Sequence, residues 1–160
     1  FDIRSGANIG TALGISGPVI VDGLCAGWTD VGREGGVLLL AQMSSRGNLL
    51  GFPGYTDEMV RAGVSNSGVF GFIGNGSRAN ELSELRQKVG DQKLIWTPGV
   101  NLEVGDGEMG QRYGNPRDAV VAGSDGIIVG SGIYKSQQKS EVAKEYAGIS
   151  WQALLERGGV

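Results

Sequence analysis

Short apolar runs alternate along most of this chain with segments whose apolar residues recur every three or four positions, the signatures of buried strands and one-sided helices. Val37 to Met43 predicts a strand covered on both faces, because its consecutive apolar residues leave neither face polar. Tyr55 to Ala62 predicts a helix, with Gly63 as its stop. Val69 to Ile73 predicts the next strand, and Gly71 within it marks close packing or a bend. From Arg78 to Val89 the pattern is the most regular: Leu82, Leu85 and Val89 share a face, Glu84 can pair with Lys88, and Gly90 ends the helix.

The stretch from Leu94 to Tyr134 organises the chain. A strand beginning at Lys93 and running to Trp96 breaks at Thr97-Pro98-Gly99 and leads into a Gly-rich loop carrying Gln111 and Tyr113. Asn115 then suits an N-cap, Pro116 the first helical position, Asp118 the third as in a capping box, and Gly123 the C-cap. Gly126 to Val129 reads as a buried strand. Gln138 to Glu156 reads as a terminal helix with Val142, Tyr146, Ile149 and Ala153 on one face, widened by Trp151, Leu154 and Leu155.

These elements make four βα units spaced by about 25 to 32 residues, the period of a parallel α/β architecture. In such a protein the segments after the strands share one rim, at the carboxyl ends, where ligands bind. Four units alone leave open sheet edges, which calls for a partner or for further chain. The first 24 residues say least: Ser5 to Gly10 reads as a loop, Ser16-Gly17-Pro18 as a turn, and Val19-Ile20-Val21 is too short to classify. Cys25 to Gly36 is polar and Gly-rich.

Composition narrows the chemistry. The 160 residues, 40% hydrophobic and 19% charged, suit one globular domain, residues 1–160. A net charge of -3 with both signs mixed predicts no nucleic-acid partner. The longest apolar run is far short of a membrane span, so the expectation is a cytoplasmic protein without a membrane partner. The chain has no histidine, which excludes Ser-His-Asp and Cys-His catalysis and His-ligated metals; no metal site is expected. The single cysteine, Cys25, lacks a base and reads as a small buried hydrophobe.

Five motifs in order carry a family likeness: Leu39-Leu40-Ala41-Gln42-Met43-Ser44-Ser45-Arg46-Gly47, Val69-Phe70-Gly71-Phe72-Ile73, Thr97-Pro98-Gly99-Val100, Gly110-Gln111-Arg112-Tyr113 and Ser124-Asp125-Gly126-Ile127-Ile128-Val129-Gly130. Together, and with the Trp151-Gln152-Ala153-Leu154-Leu155 ending, they resemble orotidine 5'-phosphate decarboxylase over roughly residues 35–160, most closely the eukaryotic forms, including the decarboxylase part of uridine monophosphate synthase. The resemblance implies a TIM-type (β/α)8 barrel, this chain covering mainly its last four βα units. It also implies conversion of orotidine monophosphate to uridine monophosphate (UMP) and carbon dioxide without metal or organic cofactor, and a homodimer or a barrel half supplied elsewhere.

Carried over by residue, the resemblance makes Ser44 a hydrogen-bond partner of the pyrimidine, and Pro98 and Val100 part of the wall beside the base. Gln111 and Tyr113 reach the phosphate of a pyrimidine nucleoside monophosphate, and Gly130 and Ser131 complete the phosphate pocket. The family's Val-Gly-Arg-Gly stands here as Val129-Gly130-Ser131-Gly132, which replaces a bidentate, permanently charged grip with a hydroxyl. Phe1 to Gly10 looks like the family's F-E-D-R-K-F-A-D-I-G, and in that register the catalytic aspartate, lysine and second aspartate become Ile3, Ser5 and Asn8. Thr11 to Gly17 is then too short for the helix and strand that the family places next, as though one βα unit were cut out. Two expectations follow: a decarboxylase homologue inactive or impaired as this chain, or a non-catalytic pyrimidine-nucleotide-binding or structural module.

Overall fold

Parallel strands and helices alternate from residue 9 onward in the computed structural model, which describes residues 6–107 and 110–158. In chain order the elements are β1 (Ile9–Ala12), α1 (Val19–Thr29), β2 (Gly36–Leu40), α2 (Tyr55–Val64), β3 (Val69–Ile73), α3 (Ala79–Val89) and β4 (Leu94–Thr97). They continue with β5 (Gly105–Asp106), β6 (Arg112–Tyr113), α4 (Pro116–Val121), β7 (Gly126–Ile127), α5 (Ser131–Tyr134) and α6 (Lys139–Glu156). The main sheet is five-stranded in the order β1-β2-β3-β4-β7, and every pairing in it is parallel. The chain is thus an α/β fold, with β1 and β7 at the two edges.

The beginning of the chain differs from its sequence reading. Ile9–Ala12, expected to lie in a loop and its continuation, pairs with Gly36–Leu39 as a fifth parallel strand. Val19–Thr29, read as an unclassified run followed by a polar segment, is a helix that connects β1 to β2. Val21, Leu24, Cys25 and Trp28 fall on one helical face, and Val21 and Trp28 are buried. That burial outweighs the helix-weakening Gly23 and Gly27, each worth about 1 kcal/mol against alanine. A complete strand–helix–strand unit therefore occupies the region where the sequence suggested an excised one.

Elsewhere the differences are at element ends and in the loop after β4, which carries the short β5–β6 pair; α2 runs through Gly63, its expected stop, to Val64. β2 stops at Leu40, so Gln42 to Ser44 belong to the loop beyond it, and β7 is two residues long, with the separate turn α5 following. Trp151 and Leu155, expected to widen the buried face of α6, are exposed, whereas Tyr146 and Ala153 are buried. Asn115 does cap α4, its side chain accepting from the Arg117 N–H at 2.8 Å.

The core lies between sheet and helices, where Val37, Leu39, Phe72 and Ile95 meet Val21, Trp28, Met59, Leu82, Leu85 and Val89. The β2–β3 register slips between Val37 and Leu38, as Gly71 foreshadowed. A side chain at Gly71 would put Cβ 2.4 Å from the Leu94 carbonyl oxygen. Among the described residues no helix is long and apolar enough to cross a membrane.

Candidate functional site at the carboxyl ends of the strands

Three segments far apart in sequence converge beyond the carboxyl ends of β2, β4 and β7. The first is the exit of β2, where Ser44 is 6% exposed. The second leaves β4 through Pro98-Gly99-Val100 and forms a strap that returns at Gly114. The strap's feet are stitched by Asn101 N–H to Gly114 O and Gly114 N–H to Gly99 O, both 2.9 Å. Its arms pair antiparallel as β5 and β6. The third is Gly130-Ser131-Gly132 after β7.

Gly99 lets the first two segments touch. Its φ of +77° favours glycine, and a Cβ there would lie 2.5 Å from Ser44 Cβ and 2.8 Å from Ser44 Oγ. With that space free, Gln111 Nε2 donates to Ser44 Oγ at 2.7 Å and to Arg112 O at 2.9 Å. The second and third segments meet where the hydroxyls of Tyr113 and Ser131 lie 3.3 Å apart.

These contacts enclose a hollow of about 290 Å3 lined by Pro98, Gly99, Val100, Gln111, Tyr113, Ile128, Gly130, Ser131 and Gly132. The residues singled out from sequence on the β4 exit, the strap and the β7 exit all line it, and Ser44 joins through Gln111. Gly99, Ile128 and Gly132 were not singled out, although each sits inside or beside a motif that was. No residue of this lining carries a formal charge. What it offers is hydroxyl, amide and backbone hydrogen-bonding groups beside apolar Pro98, Val100 and Ile128.

The cations near the strap go elsewhere. Arg46 pairs with Asp106 at 2.6 Å, and with both side chains more than 60% exposed the pair adds little. Arg112 turns into a neighbouring hollow of about 320 Å3 that it shares with Gln42, Asn75 and Glu81. A larger hollow of about 780 Å3, between Gly14–Ile15 and α2, gathers none of the predicted binding residues. Size does not select the site here; the gathering of the residues singled out from the sequence in one hollow on the strand rim does.

Ile3 and Ser5 lie outside the described residues. Asn8 immediately precedes β1, so it sits at the amino end of a strand, on the rim opposite Ser44 and Ser131. There its side chain donates to Glu34 O and accepts from Arg33 Nη2, both at 2.7 Å, which ties the entries of β1 and β2 together. Cys25 packs inside α1, where burial first and the nearby Asp22 carboxylate second push its thiol pKa up. The reactive thiolate is therefore disfavoured, as expected for a packing residue.

Residues 1–146 match the model of the "Orotidine 5'-phosphate decarboxylase / HUMPS family". The chain is 38% identical over 160 aligned residues to the orotidine 5'-phosphate decarboxylase of Rhizopus oryzae, covering 98% of this chain and 57% of that protein. The Rhizomucor pusillus protein of the same name is 39% identical over 161 residues, with the same coverage of each. That of Candida maltosa is 35% identical over 163, covering 99% and 58%. The chain thus spans less than two thirds of the length of these relatives. Alignments that take in nearly the whole chain in so few positions leave no room for a skipped βα unit, in agreement with the continuous β1–α1–β2 connection.

Proposed function

Because this chain belongs to the orotidine 5'-phosphate decarboxylase / HUMPS family, we propose that it supplies the base-side wall and phosphate clamp of an enzyme that converts orotidine monophosphate to UMP and carbon dioxide. One observation supports this reading above the rest: the wall at Pro98 and Val100 and the clamp at Gln111, Tyr113, Gly130 and Ser131 line a single hollow.

In this reading β2, β3, β4 and β7 are the last four strands of a barrel, β1 is the strand before them, and further strands close it. Asn8 then belongs to the amino-end rim, and the charged array of the reaction comes from a strand not among those described. Ser44 holds the pyrimidine, while Gln111, which also bonds the Ser44 hydroxyl, Tyr113, Ser131 and the backbone around Gly130 hold the phosphate. Binding energy from the phosphate, remote from the reacting carbon, keeps the base in position and water out. A homodimer, or a chain that completes the barrel, supplies the rest of the site.

The uncharged lining favours a second reading, a pyrimidine-nucleotide-binding module without turnover. Calorimetric titration with UMP tests the shared premise. The protein is expected to bind UMP saturably, and Ser131→Arg to tighten binding about 10- to 100-fold, the worth of a charge-assisted phosphate contact. No heat of binding at millimolar UMP for either protein would exclude both readings.

A further inference from the structure

Tyr146 on α6 is 2% exposed, yet its hydroxyl is used twice. It donates to Asn101 Oδ1 at 3.0 Å and accepts from the Leu102 N–H at 3.1 Å. Asn101 and Leu102 are the outgoing foot of the strap, and Asn101 is also the residue whose N–H bonds Gly114 at the returning foot. On its other side the phenol abuts the β7 exit: a Cβ at Gly132 would come 2.4 Å from the Tyr146 hydroxyl oxygen and 3.2 Å from Cζ.

One side chain from a helix behind the hollow therefore fixes both the strap that carries Gln111 and Tyr113 and the loop that carries Ser131. We propose that Tyr146 is a positioning residue, a strut that sets the distance between the strap and the Gly130-Ser131-Gly132 loop and so the width of the phosphate clamp. The proposal rests on the reading of the hollow as a nucleotide phosphate site.

The physical case turns on the hydroxyl rather than the ring. Phenylalanine would satisfy the packing of α6 as well as tyrosine does. The hydroxyl gives the half-buried Leu102 N–H its partner and, together with the Glu103 N–H at 3.2 Å, holds the Asn101 carboxamide oxygen, and a partly buried amide stripped of its partner loses that bond's contribution. Glycine at position 132 is required by the same atom, since alanine would meet the phenol oxygen well inside contact distance. The two positions are therefore coupled, and the coupling is measurable.

The test compares the unaltered protein with Tyr146→Phe, Gly132→Ala and the double variant, by hydrogen–deuterium exchange and UMP titration. In Tyr146→Phe, the Leu102 amide is expected to exchange at least about 10-fold faster while amides within α6 keep their protection, and UMP affinity to fall about 10-fold. Gly132→Ala is expected to weaken UMP binding more in the tyrosine background than in the phenylalanine one. Normal UMP binding together with unchanged Leu102 exchange in Tyr146→Phe would overturn the strut alone. Faster Leu102 exchange in a protein that binds no UMP even unaltered would overturn the phosphate-site reading, and the proposed role with it.

Discussion

The 160-residue chain by itself is expected to decarboxylate orotidine monophosphate at least about 10,000-fold below the usual range of roughly 1 to 1000 turnovers per second. Decarboxylation at this position leaves a carbanion that must be stabilised and protonated, and a carboxylate stressed against the substrate promotes its loss. Both tasks need charged side chains on the strand rim. The hollow that gathers Pro98, Gln111, Tyr113 and Ser131 has none in its lining, Arg46 lies outside that lining beside Asp106, and Asn8 lies on the opposite rim. General acid catalysis alone is worth about 100- to 10,000-fold, and each lost electrostatic donor about 100- to 1000-fold. These terms are not additive, but losing them together leaves positioning as the main remaining source of acceleration. A spectrophotometric assay of the isolated chain checks this; turnover within the ordinary range would show that the array is present after all.

Asp125→Ala is expected to cost about 2 to 3 kcal/mol of folding stability, a fall in Tm of roughly 5 to 10 °C for a chain of this size. Asp125 lies between two arginines: Arg157 Nη2 is 2.8 Å from Oδ1, and Arg86 Nη2 contacts Oδ2. Oδ2 also accepts the Ile95 N–H at 2.8 Å, so the carboxylate bridges α3, β4 and the end of α6. Both guanidiniums are held beside it by carbonyls, Arg86 by Gly123 at 2.7 Å and Arg157 by Val120 at 2.9 Å and Ser124 at 2.8 Å. Alanine would leave two partly buried cations without a counter-charge and one amide without a partner. The pairing side chains are each about one fifth exposed, so water recovers part of the loss and the cost stays below that of a fully buried pair. Thermal unfolding monitored by circular dichroism measures it, and a shift under 2 °C would show the network to be ornamental.

How much of this was legible depended on whether a pattern was local. β3 is legible because the apolar run from Val69 to Ile73, interrupted only by Gly71, lies between turn residues, and the start of α4 because Asn115-Pro116 announces it chemically, although its C-cap is Ala122 rather than the expected Gly123. α1 carried a readable signal, Val21, Leu24, Cys25 and Trp28 on one face, but Gly23, Gly27 and the β-branched Val19-Ile20-Val21 obscured it. β1 was illegible in principle: Ile9-Gly10-Thr11-Ala12 has no period, and its state is decided by pairing with β2.

Missing β1 had a consequence for the site. With that strand read as loop, the register that sets Asn8 in place of a catalytic aspartate has nothing to contradict it, whereas Asn8 stands just before β1, at the amino end of a strand. The hollow itself could not be inferred from spacing, since its walls come from β4, the strap and β7; the family likeness supplied the association. Tyr146 was recognised only as part of a buried helix face, because nothing local in a sequence tells which buried hydroxyl reaches a distant loop.

The most direct test of the central claim is to titrate the isotopically labelled protein with UMP and follow its backbone amides by NMR. Saturable shifts concentrated at Gly99–Val100, Gln111–Tyr113 and Gly130–Gly132 are the expected result. Shifts centred on the larger hollow at Gly14–Ile15 and α2, or none at millimolar UMP, would contradict the assignment.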